Sequence, residues 1–339
     1  MRPRRAPDLP RFPLARWIYE HRHLPHDLGQ SGMRYELRSY RRIVAQAREG
    51  TPEELRSALA RRQGVPERRL FLTHGATEAN ALVLLHLARH RSRRGRGPVR
   101  IRVGRPEYPP LADTARLVGL APVGPESPAE LALASNPSNP EGTLRNAAEL
   151  RRFAEGAGDL LVDETFREFT DADPVGDSAS RRLWRTASFT KVYGADDIRV
   201  GFVVVPRGEE ASFQETHWLL DGVAQSSAAQ ALALLRHRAT VLGEARRLFQ
   251  RNFAALREAE ADVPALAAPL WFDRPGGRTA GDRLAREAAR RGVLVSPGRL
   301  FGDPSGVRVC LTRSNFPESL RAYRDVKSAL GRAKTTRAG

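Results

Sequence analysis

Lysine is scarce in this chain. Of 56 basic residues only three are lysine: Lys191, Lys327 and Lys334. Lys327 and Lys334 stand in a polar C-terminal stretch, where a solvated lysine is the default. Lys191 follows a short mixed run that reads as a strand end, Arg185-Thr-Ala-Ser-Phe-Thr-Lys. A lysine kept at a strand-to-loop junction, in a chain that otherwise uses arginine, points to chemistry arginine cannot perform. Arginine keeps its proton. Lysine can release one, and its amine can form a Schiff base.

Four further signatures carry candidate chemistry. Thr73-His-Gly-Ala-Thr-Glu-Ala-Asn reads as a strand end, a glycine turn and a helix start. Free backbone N–H groups and the positive end of the helix dipole make that a seat for phosphate, although a plain helix cap explains the same residues. Pro106-Glu-Tyr-Pro-Pro offers Tyr108 as a stacking platform or a loop aromatic. Ser135-Asn-Pro-Ser-Asn-Pro-Glu-Gly-Thr places two Asn-Pro pairs after a strand. Leu161-Val-Asp-Glu-Thr-Phe ends an apolar strand on Asp163, which also reads as a cap or an ion-pair partner. The lysine run itself continues through Gly194 and Arg199 to Gly201.

These signatures need a frame that aligns strand ends. Strands are expected at Leu70–Thr73, Val99–Val103, Leu131–Ala134, Leu160–Asp163, Arg185–Phe189 and Gly201–Val205. Helices alternate with them at Glu78–His90, Pro110–Val118 and Ala147–Gly156. Thr51-Pro-Glu-Glu supplies an N-cap, a first-position proline and acidic first-turn residues for a helix over 52–63, after another over 36–48. Alternation of this kind predicts an α/β domain with a mixed, mostly parallel sheet, whose ligands bind beyond the carboxyl ends of strands. Residues 1–35 read as an irregular arm. One long helix is expected over Ser226–Glu260, interrupted only at Gly243. Short strands near 270, 293 and 307 and helices over Ala280–Arg291 and Pro317–Leu330 complete a smaller α+β unit.

Composition narrows the function classes. Hydrophobic residues make up 41% and charged residues 28% of 339 residues, as in ordinary globular proteins. No apolar run is long enough to span a membrane, and the basic N-terminus has no apolar stretch of a secretory signal behind it. A cytoplasmic location follows as the expectation. Cys310 is the single cysteine, so no disulfide framework forms within the chain. His21, His23 and His26 lack partners at ligand spacing, so no metal site is expected. The net charge of +17 invites a nucleic-acid reading. The densest basic run, His90-Arg-Ser-Arg-Arg-Gly-Arg-Gly, has no aromatic interleaving and reads as a solvated loop, so no specific nucleic-acid partner is expected.

Taken in order, the signatures resemble those of the class I/II aminotransferases, fold type I pyridoxal-phosphate enzymes. The Ser-Phe-Thr-Lys run resembles the histidinol-phosphate aminotransferase and threonine-phosphate decarboxylase branch. The likeness runs from Gly29 to about Ser328. It implies that Lys191 holds pyridoxal 5′-phosphate through its amine and later moves a substrate proton. It implies that Asp163 pairs with the pyridinium nitrogen, Asn139 contacts the phenolic oxygen O3′ and Tyr108 stacks on the ring. Gly75, Ala76, Thr77, Ser188 and Arg199 are implied to hold the phosphate. Farther on, Gly306-Val-Arg-Val-Cys-Leu-Thr implies that Arg308 clamps the substrate α-carboxylate. Gly32 matches the glycine of an N-terminal segment that closes over substrate.

One position departs from the family's common pattern. Three residues after the aspartate, where tyrosine is usual, stands Phe166. Phenylalanine there resembles threonine-phosphate decarboxylase-like and arginine-modifying members. The implied division is a large cofactor-binding domain at 36–235 and a small unit of 1–35 with 236–339. A homodimer with an active site completed by its neighbour is implied. The expected activity is transfer of an amino group between an α-amino acid and a 2-oxo acid. The rivals are another pyridoxal-phosphate reaction, decarboxylation or arginine-type elimination and cyclisation, and a non-enzymatic nucleic-acid binder.

Overall fold

The computed structural model describes residues 12–34, 36–91, 98–176 and 182–335. Residues 92–97 of the basic run fall outside that set. In chain order the strands are β1 (His26–Asp27), β2 (Leu70–Thr73), β3 (Arg100–Val103), β4 (Ala121–Val123), β5 (Leu131–Ser135) and β6 (Asp159–Asp163). They continue with β7 (Leu183–Ser188), β8 (Gly201–Val204), β9 (Leu270–Asp273), β10 (Val293–Leu294), β11 (Ser296–Pro297) and β12 (Val307–Cys310).

The main sheet runs β2-β8-β7-β6-β5-β3-β4. β8 is antiparallel to both neighbours and the other pairs are parallel. Every residue of β5 and β6 is buried, as in parallel strands covered on both faces. Successive residues feed opposite cores. Leu133 and Leu161 join one cluster with Phe71, Leu84 and Trp184, while Ala132, Ala134, Leu160 and Val162 join another with Leu150. Parallel pairing brings the carboxyl ends of β5, β6 and β7 to one edge. Ser135 stands opposite Asp163, and Asp163 opposite Thr186.

The first helices are α1 (Pro13–His21), α2 (Arg38–Gln46), α3 (Pro52–Gln63), α4 (Ala76–Arg91), α5 (Pro109–Leu117), α6 (Ala147–Phe153), α7 (Glu210–His217) and α8 (Gln225–Arg236). α3 has the N-cap its sequence offered, Thr51, which forms a reciprocal capping box with Glu54, and it closes on Gly64 at φ 64°. α4 lies against β7 and β8. The chain continues with α9 (Arg238–Ala259), α10 (Ala280–Arg290) and α11 (Phe316–Thr335), and the antiparallel strands β11-β12-β9 form a separate three-stranded sheet.

Two expectations are corrected. The arm is not wholly irregular: α1 occupies Pro13–His21, and β1 pairs in parallel with β10. Buried Leu14 and the Trp17 Nε1–H bond to the Val295 carbonyl, 2.8 Å, tie it down. The long helix over 226–260 is two helices. They part at His237 (φ −101°, ψ 22°), not at Gly243, which lies inside α9. Apolar periodicity continues across the break, so the sequence pattern carries no mark of it. β4, β11 and α7 are elements the sequence reading missed.

Candidate active site

β2 ends at Thr73, the chain turns at Gly75 with φ +93°, and α4 starts at Ala76. A Cβ at Gly75 would lie 3.0 Å from Arg199 Nη2. Arg199 itself has φ 49°, and its Nη2 donates to the His74 carbonyl at 3.2 Å. Gly201 faces Thr73 across the β2–β8 pair, and a Cβ there would come 2.5 Å from the Gly75 carbonyl carbon. Only glycine permits that approach. Ala76 and Thr77 at the start of α4, Ser188 at the end of β7 and Arg199 line one cavity. Helix-end N–H groups, hydroxyls and a guanidinium form an anion cradle there.

The carboxyl end of β6 delivers Asp163 to the same cavity, 7% exposed. Asn80 Nδ2 donates to its Oδ2 at 2.8 Å and the Thr165 N–H to its Oδ1 at 2.9 Å. Burial pushes the Asp163 carboxyl above its usual range, against the bonds from Thr165 and Asn80 and the field of Lys191. Thr186 Oγ1 donates to Asn80 Oδ1 at 2.7 Å and so orients the amide. Sequence reasoning missed Asn80. Its place four residues after Ala76, on the same face of α4, was the available signal.

Lys191 lines this cavity in the loop after β7. Burial pushes its amine below the usual range; Asp196 opposes that, while Arg308 and Arg199 reinforce it. The arm closes over it. The Met33 N–H donates to the Lys191 carbonyl at 3.1 Å, and a Cβ at Gly32 would lie 3.6 Å from Lys191 Cδ. Asp196 and Ser31 also line the cavity, and neither was picked out from sequence.

Tyr108 and Asn139 face the cavity from the start of α5 and the loop after β5. Asn139 Oδ1 accepts from Arg308 Nη1 at 3.1 Å. Arg308, 3% exposed, donates through Nη2 to the Gly29 carbonyl at 2.7 Å and to Ser296 Oγ at 3.3 Å. Among the described residues its buried Nε has no partner. Phe166 lines the cavity and also packs on Phe169, with ring centroids 6.3 Å apart. The arm histidines are separately engaged: His21 stacks on Trp17 at 4.0 Å, and His26 Nδ1 lies 3.3 Å from Ser319 Oγ.

The arrangement can seat a phosphate at α4, keep a positive nitrogen beside Asp163 and present the Lys191 amine to a substrate; Arg308, Gly32 and Gly75 do not themselves line the cavity, and Arg308 borders it through its bond to Asn139. The family described as aminotransferase class I and II matches residues 121–322. An aromatic amino acid aminotransferase of Streptomyces avermitilis is 36% identical over 173 residues, 48% of this chain and 47% of that protein, so the match spans about half its length. Histidinol-phosphate aminotransferase 1 of Mesorhizobium japonicum is 28% identical over 289 residues, 76% of each chain. The fold is shared with a PLP-dependent aminotransferase from Streptococcus suis, with a TM-score of 0.77 at 20% identity, covering 96% of this chain and 98% of that one. With its match extending over more than half of its length, this chain belongs to the class I and II aminotransferase family.

Proposed function

We propose that the protein is a pyridoxal 5′-phosphate-dependent aminotransferase that moves an amino group between an α-amino acid and a 2-oxo acid. It would act as a homodimer in the cytoplasm, with a large unit over 36–235 and a small unit of 1–35 and 236–339. Among the described residues no helix is long and apolar enough to cross a membrane. The observation that carries the proposal is the convergence of Lys191 and buried Asp163 on one cavity with the Gly75–Arg199 cradle.

The residues fit such a cofactor. Asp163 is buried with two neutral donors and, among the described residues, no cation within hydrogen-bond reach, which suits a ligand that brings a protonated nitrogen. The cradle at Gly75 would be filled by a single Cβ, which suits a close-held phosphate. Bound there, the cofactor would supply an electron sink for negative charge developing at the substrate Cα.

The chain's own groups do the rest. Lys191 Nζ would hold the cofactor, then take the proton from the substrate Cα and return it. Its depressed affinity for protons favours the neutral amine that such a base needs. Asp163 would keep a proton on the ring nitrogen, fixed by Asn80 and Thr165. Arg308 would receive the substrate carboxylate, Asn139 Oδ1 holding its Nη1. Tyr108 and Phe166 would flank the ring, and Gly32 leaves room for the arm to close.

The experiment is a screen of amino-acid donors with the cofactor-loaded protein, following 2-oxo acid formation and carbon dioxide together. Transamination predicts 2-oxo acid without carbon dioxide. Carbon dioxide release from the best substrate would replace it with decarboxylation.

A further inference from the structure

Glu107 is a buried carboxylate, 3% exposed, to which no role is assigned above. It stands between the segment entering α5 and the end of β5. Its Oε1 accepts from the Tyr108 N–H at 2.7 Å and from Ser135 Oγ at 2.5 Å. Its Oε2 accepts from the Ser135 N–H at 3.0 Å. Ser135 Oγ in turn accepts from the Asn139 N–H at 2.9 Å. The Glu107 N–H donates to the Phe301 carbonyl at 3.0 Å, and the Phe301 ring centroid lies 4.9 Å from the Arg308 guanidinium carbon.

A carboxylate at this depth costs free energy that an apolar residue would not. Burial raises its pKa to about 7, against the bonds from Ser135 and Tyr108 and the charge of Arg145. Arg145 comes from the loop after β5. A Cβ at Gly104 would meet Glu107 Oε2 at 3.3 Å and Arg145 Nη2 at 3.8 Å. On the outer side, Arg105, Asp113, Arg116 and Arg299 border the same surface cavity as Glu107. There Arg116 pairs with Asp113, and Arg299 with Asp282. What the carboxylate gains inside is control of two loops at once.

We infer that Glu107 is a positioning residue: its carboxylate fixes the backbone of Tyr108 and, through Ser135, that of Asn139, so that both side chains keep their place against the bound cofactor. The inference rests on the cofactor assignment proposed above. Glu107→Gln keeps the shape and sets an amide donor against an N–H or a hydroxyl. Ser135→Ala keeps the carboxylate and removes only the hydroxyl that relays to Asn139.

The test titrates pyridoxal phosphate into the full wild-type chain and both variants by fluorescence quenching. It also records the visible circular dichroism of the bound chromophore and the thermal unfolding of the cofactor-free chains. We expect cofactor binding about tenfold weaker in Glu107→Gln and about threefold weaker in Ser135→Ala. Induced ellipticity falls in both, and cofactor-free unfolding temperatures change little. Wild-type affinity and ellipticity in the variants, whatever their unfolding temperatures, overturn the inference. If Glu107→Gln does not fold, Ser135→Ala decides by the same two readouts. Failure of the wild-type chain itself to bind the cofactor overturns the cofactor assignment and the inference together, which the wild-type titration alone reveals.

Discussion

Where α4 begins, the site is built from backbone. Gly75 turns with φ +93°, Gly201 packs its Cα against that turn, and Arg199 reaches the His74 carbonyl. Around Arg308 the site is built from groups gathered largely over long separations: the Asn139 side chain 169 residues away and the Gly29 carbonyl 279 residues away, with Ser296 12 residues off. The first region is spoiled by a single added carbon. The second is spoiled by the loss of a planar fork or by a shift of the segments that carry its partners. Cofactor retention and substrate reading should therefore fail separately.

The largest effect is expected between the two regions. Lys191→Ala leaves the cradle intact, so the cofactor should still bind through its phosphate while turnover falls by several orders of magnitude. Equilibrium dialysis beside single-turnover kinetics measures both. Turnover near the wild-type level would remove Lys191 from the chemistry.

Next comes the Arg308 side alone. Arg308→Lys keeps the charge and loses the fork. A charge-assisted hydrogen bond contributes about 1.5–3 kcal/mol, so kcat/KM should drop roughly tenfold to a hundredfold with cofactor affinity unchanged. An unaltered kcat/KM would mean that another residue reads the carboxylate.

On the cradle side, Gly201→Ala forces a Cβ to within 2.5 Å of the Gly75 carbonyl carbon. Overpacking against backbone costs about 1–3 kcal/mol. Thermal unfolding should show a lower midpoint, and the gain in midpoint on adding cofactor should shrink. A full cofactor-induced gain would show that the cradle tolerates the strand shift.

The smallest effect concerns Phe166, which lines the cavity without a hydroxyl. Phe166→Tyr adds a donor where the family resemblance places the cofactor's phenolic oxygen. One pKa unit is about 1.4 kcal/mol, near the net contribution of a single hydrogen bond. The donor favours the deprotonated chromophore, so the spectral pKa of the lysine-bound cofactor should fall by about one unit. Identical titrations of both proteins would place residue 166 away from that oxygen.

Local signals made much of the fold legible. α3 carries its cap, proline and acidic turn within Thr51-Pro-Glu-Glu, and β6 carries the apolar run Leu160-Leu-Val that ends on Asp163. That Asp163 and Ser188 at strand ends line one cavity with Lys191 was legible because residue type and spacing are tied there to a local turn. What escaped depends on partners distant in sequence. The break at His237 interrupts a helical pattern that reads as continuous. α1 hides in a Pro- and Arg-rich arm and is held by Val295, 278 residues away. Asn80 and Glu107 lie inside quoted motifs, but their roles come from Asp163, Thr186 and Ser135, brought near only by sheet pairing.

Borohydride reduction of the cofactor-loaded protein, followed by peptide mapping, tests the central assignment most directly. Reduction fixes the cofactor to whichever amine holds it, and only three lysines compete. Lys327 is already paired with Glu260 and Asp273, at 3.1 and 2.8 Å. We expect the pyridoxyl group on the peptide containing Lys191 and on no other. A label on Lys327 or Lys334, or none at all, would contradict a cofactor site built around Lys191, Asp163 and the Gly75–Arg199 cradle.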